Sequence, residues 1–189
     1  SIDAGHVVKT ELPDGNLAMA QAYVFNLRRE KFQDRRVREA LAMMFNFEWS
    51  NEQLFYGLYD RVQSFWGNSE LEAQGVPMGA ERAVLQPLVD QGLLSADILN
   101  DEAVMAPVSG ARQLDRKNLR RASKLMDEAG WRVNSEGMRE KDGQVFTLEV
   151  LDSSPAFDRI TNPMIENMKA LGIDARLNRV DSAQESERT

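Results

Sequence analysis

Val37, Leu41, Met44 and Phe45 recur at the three-to-four-residue spacing that puts side chains on one face of an α-helix. Residues 34–45 are therefore predicted to form an amphipathic helix. Asp34 opens it, because a carboxylate there can accept hydrogen bonds from the free N–H groups of the first turn. Helical spacing returns over residues 48–58 (Trp49, Leu54, Phe55, Leu58), 81–94 and 116–129 (Leu119, Ala122, Met126, Ala129), with Gly130 placed to end the last of these in a left-handed conformation. A further helix carries Ile160, Met164, Ile165, Met168 and Leu171 and stops at Gly172, with Pro163 either in its first turn or marking a kink.

Strand chemistry occupies the intervals. Residues 6–12 and 21–27 alternate or run apolar with β-branched and aromatic members, and the turn residues Pro13, Asp14, Gly15 and Asn16 lie between them. Two strands joined by a loop are predicted there. Turns at 134–137 and 141–143 predict a small β-meander leading into a strand over 145–151, and residues 173–180 supply the last strand. Strand, helix and strand in that order pair in parallel by a crossover. Residues 60–80 lose all periodicity, yet carry the adjacent aromatics Phe65 and Trp66 among small polar residues, and residues 97–115 also read as irregular.

Composition narrows the function. The chain has 189 residues, enough for one buried core or for one lobe of something larger, and its three Trp, three Tyr and eight Phe suit a folded α/β domain. A net charge of −7 argues against a nucleic-acid partner. The pairs Arg28-Arg29, Arg35-Arg36 and Arg120-Arg121 read as solvated helix faces interleaved with acids. With no Cys and a single His, at position 6, disulfides, thiol nucleophiles, Ser-His-Asp triads and clustered zinc ligands are excluded, and no cofactor is called for. Glycine-rich phosphate loops are absent as well. An enzyme would have to use carboxylates such as Glu70/Glu72 or Asp127/Glu128, and nothing sets these apart from surface acids. No apolar run approaches the ~20 residues of a membrane-spanning helix.

The particular residues say more than the periodicity. The stretch Phe25-Asn26-Leu27 through Phe32-Gln33-Asp34-Arg35-Arg36-Val37-Arg38-Glu39-Ala40-Leu41 resembles the segment that opens the C-terminal lobe of family 5 extracellular solute-binding proteins, the peptide-capturing subunits of ABC importers. Leu125 to Trp131 resembles that family's "LL-x-EAGW" helix end, and Lys141-Asp142-Gly143-Gln144 with Phe146-Thr147-Leu148-Glu149 resembles its hairpin and strand. Met168 to Ala175 and Asp181 to Gln184 continue the match. The loop Ser64-Phe65-Trp66-Gly67-Asn68-Ser69-Glu70-Leu71 resembles the "S-[FY]-[FW]-x-NSEL" loop of the oligopeptide and microcin C subgroup.

This resemblance implies an α/β fold, the C-terminal lobe of a type II-like periplasmic binding protein, with a mixed sheet flanked by helices. Residues 1–189 would be a single partial lobe, and the loop over 60–80 its ligand-facing segment. The implied partners are a peptide or peptide-like ligand, the membrane permease subunits of an ABC transporter, and an N-terminal lobe outside this stretch, with no nucleic acid. The implied location is periplasmic. A module that binds partner proteins without a small ligand is the alternative.

Site residues follow from the chemistry of holding an extended peptide, where aromatics supply area and Asn, Ser and carboxylates supply oriented hydrogen bonds or pair an ammonium. Phe65, Trp66, Asn68, Ser69 and Glu70 have that chemistry on one loop. Alternatively, Phe65 and Trp66 anchor the loop to the core while 68–70 cap a short helix. Tyr23 and Asn26 sit where a cleft could open, or else serve packing and turn closure. Asp152, at the end of a buried-looking strand, occupies a usual place for a ligand loop, unless Ser153 or Ser154 simply caps the next helix. Trp49, Trp131 and the methionines are assigned to the core.

Overall fold

The computed structural model describes residues 2–12, 16 and 21–188. In chain order its elements are α1 (Arg35–Ala42), α2 (Phe47–Phe55), α3 (Gly79–Asp90), α4 (Arg116–Glu128), β1 (Arg132–Val133), β2 (Arg139–Lys141), β3 (Gln144–Val145), β4 (Thr147–Asp152), α5 (Asp158–Ala170), β5 (Asp174–Arg179) and α6 (Ser182–Arg188). Single 3-10 turns lie at Glu30–Phe32, Ala96–Leu99 and Pro155–Phe157. The chain divides into a smaller compact unit, Ser1–Ala22 with Val62–Met105, and a larger one, Tyr23–Arg61 with Ala106–Thr189.

In the larger unit the starts of α1, α2 and α4 are set by side-chain caps. Asp34 accepts from the Arg36 N–H at 2.9 Å, and Asp115 accepts from the N–H groups of Lys117 and Asn118 at 2.7 and 2.8 Å. The hydrogen bond from Asn118 is the largest of the effects holding the Asp115 carboxyl below the usual carboxylate range. α4 ends as its glycine demands: Gly130 has φ +90°, and Trp131 N–H reaches back to the Met126 carbonyl at 2.9 Å. α1 and α4 pack together, and Arg36 Nη1 donates to the Glu128 carbonyl at 2.7 Å, tying the start of one to the end of the other.

β1, β2 and β3 form the antiparallel meander, with Val133 opposite Arg139 and Glu140 opposite Val145. Phe146 then breaks what the sequence reads as one strand. β4 leaves the meander and pairs in parallel with β5, from Thr147 opposite Asp174 to Asp152 opposite Arg179, with α5 as the connection. The core lies where these layers meet: Val37 and Leu41 from α1, Met126 from α4, Phe146, Leu148 and Val150 around β4, Ile165 and Met168 from α5, and Ile173 before β5. Gly172 permits the closest approach. It has φ +91°, and a Cβ there would lie 2.8 Å from the Gly137 carbonyl oxygen, while its own carbonyl accepts from Arg139 N–H at 2.6 Å.

Three buried asparagines hold the irregular segment 106–115 against this core. Asn46 Nδ2 donates to the carbonyls of Gly110 and Arg112 at 2.9 and 2.8 Å while its Oδ1 caps α2 through Trp49 N–H. Asn118 Nδ2 donates to the Val108 carbonyl, and Asn167 Nδ2 joins the carbonyls of Met44 and Gln113 at 3.0 Å each. Buried backbone carbonyls without such donors would be costly.

Several expectations are corrected. No strand forms over residues 6–12 or 21–27: Val7, Val8 and Leu12 are exposed there, and strand chemistry without a neighbouring edge yields extended chain rather than a ladder. The turn expected at 13–16 lies outside the described residues except for Asn16. The helix expected over 34–45 ends at Ala42, and those over 48–58 and 81–94 lie at Phe47–Phe55 and Gly79–Asp90. Pro163 sits inside α5 rather than in its first turn. Met43, Met44, Met126, Met164 and Met168 are buried, but Met78 and Met105 are exposed, and Trp49 is only half-buried.

Candidate functional site

In the smaller unit the loop between Val62 and Met78 is held by short local bonds. Ser64 accepts from Trp66 N–H through its hydroxyl at 3.1 Å and from Gly67 N–H through its carbonyl at 3.2 Å. The Ser69 hydroxyl donates to the Trp66 carbonyl at 2.6 Å and accepts from Leu71 N–H. Asn68 stands in the left-handed region at φ +62°, its N–H on Glu72 and its side-chain amide on the Asn16 carbonyl at 2.7 Å. This frame turns the aromatics outward. Phe65 is 81% exposed and Trp66 52%, so neither anchors the loop to a core. Glu70 is exposed beside them. No helix follows residues 68–70 for them to cap, since α3 begins at Gly79.

The larger unit carries the other three candidates. Tyr23 shares a hydrogen bond with the buried Thr161 hydroxyl at 2.7 Å, and its ring meets Phe45 edge-on at 6.0 Å. Burial pushes the Tyr23 phenol pKa up, and the nearby charge of Asp152 adds to that shift. Asp152 itself pairs with Arg179 at 3.2 Å and accepts from Ser154 N–H at 2.8 Å, and Arg179 also meets Asp158. The Asp152 carboxylate is thus held by a partner from β5 and bends the chain toward α5. Asn26 closes a turn, its Oδ1 accepting from the N–H and Nε of Arg28 at 3.1 and 3.2 Å. Phe65, Trp66, Asn68, Ser69 and Glu70 are brought together on one loop of one unit, and Tyr23 and Asp152 on neighbouring elements of the other.

Residues that the pattern of the sequence did not single out also gather in the larger unit. The Arg61 guanidinium stacks 4.9 Å from the Phe45 ring centre and 5.4 Å from that of Phe47, and burial is the main effect lowering its pKa. Arg159 lies 4.7 Å over Phe55 in the same manner. Ser153 donates to Glu185 of α6 at 2.6 Å. A signal for these exists only in part: an Arg a few residues beyond a run of aromatics is a stacking candidate, but the pairing is fixed by the fold.

In the larger unit a shallow cleft lined by Glu48, Trp49, Glu52, Gln53 and Ser109 lies beside α2, and none of Tyr23, Asn26 and Asp152 lines it. Among the described residues no cluster of His, Asp and Glu is arranged to hold a metal ion, and no helix is long and apolar enough to cross a membrane.

Comparison with known proteins places this fold. Residues 6–189 match the middle region of the bacterial extracellular solute-binding proteins, family 5. A probable peptide-binding protein YejA from Agrobacterium fabrum is 38% identical over 192 residues, covering 100% of this chain and 31% of that protein. NikZ from Campylobacter jejuni, solved in complex with Ni(L-His), superposes with a TM-score of 0.57 at 16% identity over 84% of this chain and 25% of its own. The oligopeptide-binding protein AppA from Bacillus subtilis, solved with a nonapeptide, does so with a TM-score of 0.52 at 22% identity over 86% of this chain and 26% of its own. The two structures establish the fold alone, whereas the match over nearly the whole chain establishes the family: the chain belongs to the bacterial extracellular solute-binding proteins of family 5 and spans under a third of the length of the YejA relative.

Proposed function

We propose that this chain forms much of the second lobe of a periplasmic protein that captures peptides, or peptide-like solutes, and delivers them to the permease of an ABC importer. Within the family it fits the oligopeptide and microcin C subgroup, whose loop pattern it shares over Ser64 to Leu71. Capture would proceed by closure of two lobes over the ligand, with no covalent step. The observation that carries this reading is the outward display of Phe65 and Trp66 on a loop whose own bonds brace it. Large exposed aromatics beside a carboxylate suit an extended peptide: the rings cover its apolar side chains, and Glu70 can pair with an ammonium.

Trp66 carries the clearest test. In the full-length protein Trp66→Ala is expected to weaken peptide binding about tenfold, the loss of one aromatic contact of about 1.4 kcal/mol. The midpoint of thermal unfolding should not move, because the ring is half-exposed. Titration calorimetry reads the first and a melting curve the second. Unchanged affinity would remove Trp66 from the site, and a lowered midpoint would make it a packing residue.

A further inference from the structure

The sequence reads the pair Arg120-Arg121 as part of a solvated helix face interleaved with acids, and α4 places both on such a face, with cations in excess. Arg116, Lys117, Arg120, Arg121 and Lys124 are all exposed on α4, while Asn118, Ala122 and Met126 face the core. At 3.6 residues per turn the five cations fall within an arc of about 140°. Asp115 precedes this face, and Asp127 and Glu128 fall within the same arc at its C-terminal end, where Asp127 is taken up by Arg139 and Glu128 by Lys124.

Several cations elsewhere in the larger unit are engaged. On α1, Arg35 pairs with Glu39 at 2.7 Å, Arg36 with Asp34 at 2.6 Å, and Arg38 donates to the Phe32 and Gln33 carbonyls. On α4, Lys124 pairs loosely with Glu128 at 3.7 Å, and Lys117 lies in the field of Asp115. The side chains of Arg116, Arg120 and Arg121 make no hydrogen bond or ion pair among the described residues. Three guanidinium groups thus stand together, unneutralised, on a chain whose net charge is −7.

We propose that this face of α4 docks on an anionic membrane surface, meeting the phosphodiester groups of lipid heads. The composition of the face selects that occupant over an acidic protein. A specific protein interface is built around aromatic or aliphatic anchors, and this arc presents only charge. α4 cannot insert its apolar side into lipid, because that side is buried in the core, so the contact is electrostatic. Arginine forks match paired phosphate oxygens, and a helix of 13 residues runs about 20 Å, long enough to meet several headgroups. This docking is independent of what the ligand is.

Co-sedimentation of the full-length protein with vesicles tests it. Retention is expected on equimolar phosphatidylglycerol and phosphatidylcholine at low ionic strength and not on phosphatidylcholine alone. The combined substitution Arg116→Gln, Arg120→Gln and Arg121→Gln should lower the partition coefficient about a hundredfold, and physiological salt should weaken it as the Debye length shortens. The variant should keep the native circular dichroism and melting midpoint, and Arg35→Gln, whose charge is already paired, should partition almost as the unaltered protein does. Failure to bind the anionic vesicles, equal binding to both kinds, or undiminished binding by the triple variant would overturn the proposal. So would tighter retention on duplex DNA than on the vesicles.

Discussion

Arg139→Ala is expected to destabilise the larger unit by about 3–5 kcal/mol, among the largest effects any single substitution would have in this protein. The residue reads in sequence as one charge in a polar hairpin, yet it is 1% exposed. Its Nε donates to the Leu171 carbonyl at 3.1 Å, Nη1 to the Trp131 carbonyl at 2.9 Å and to Asp127 at 2.5 Å, and Nη2 to the Ser123 hydroxyl at 2.5 Å. One guanidinium therefore joins β2 to α4, to the turn after it and to the end of α5. Truncation leaves two carbonyls without donors and a cavity between the layers. Asp127, 42% exposed in its side chain, recovers water, so the loss comes from the buried carbonyls and the packing more than from the broken ion pair. Arg139→Lys keeps the charge but not the fork, and should recover less than half of the loss. Urea unfolding followed by tryptophan fluorescence checks both values. An alanine variant within about 1 kcal/mol of the parent would show that the network does not hold the layers together.

Phe146→Ala is expected to cost about 3–5 kcal/mol as well, by a different route. Phe146 is completely buried, and its ring meets Trp131 edge-on at 4.6 Å and Phe32 at 6.3 Å. Its backbone joins the two sheets, with N–H on the Arg139 carbonyl at 2.7 Å and carbonyl on Asp174 N–H at 3.0 Å. The hydrogen bonds survive truncation; the packing does not. Phe146→Leu, which refills most of the volume, should cost about 1–2 kcal/mol, and the difference between the two isolates the cavity contribution. Equal losses would assign the effect to the backbone instead.

These two residues mark the limit of what the sequence made legible. Elements whose ends carry their own chemistry were readable: α4 between Asp115 and Gly130, the meander through its turns at 134–137 and 141–143, and the α5 to β5 passage through Gly172. Phe146 was not readable as a break, because an aromatic in an apolar run satisfies strand spacing whether or not the chain changes sheets there. Nor was the burial of Arg139, which depends on partners up to 32 residues away. The stretches 6–12 and 21–27 show the reverse failure, since they have the composition of strands and no partner among the described residues.

The candidate site divides along the same line. The loop over 60–80 announced itself by losing periodicity while keeping two aromatics, and the local bonds of Ser64 and Ser69 within it span two or three residues. The engagement of Asp152 by Arg179 and of Tyr23 by Thr161 arises only when β4, β5 and α5 assemble. The division of the chain into two units built from non-consecutive segments is equally a property of the fold.

The proposed function makes a peptide the cargo of the full-length protein. Native mass spectrometry of the full-length protein, purified gently from its own cell envelope, tests that most directly. A ligand-bound mass series that dissociates into peptides on activation is the expected result. A bound sugar or nickel chelate, or a bare protein whose mass no added peptide shifts, would contradict it.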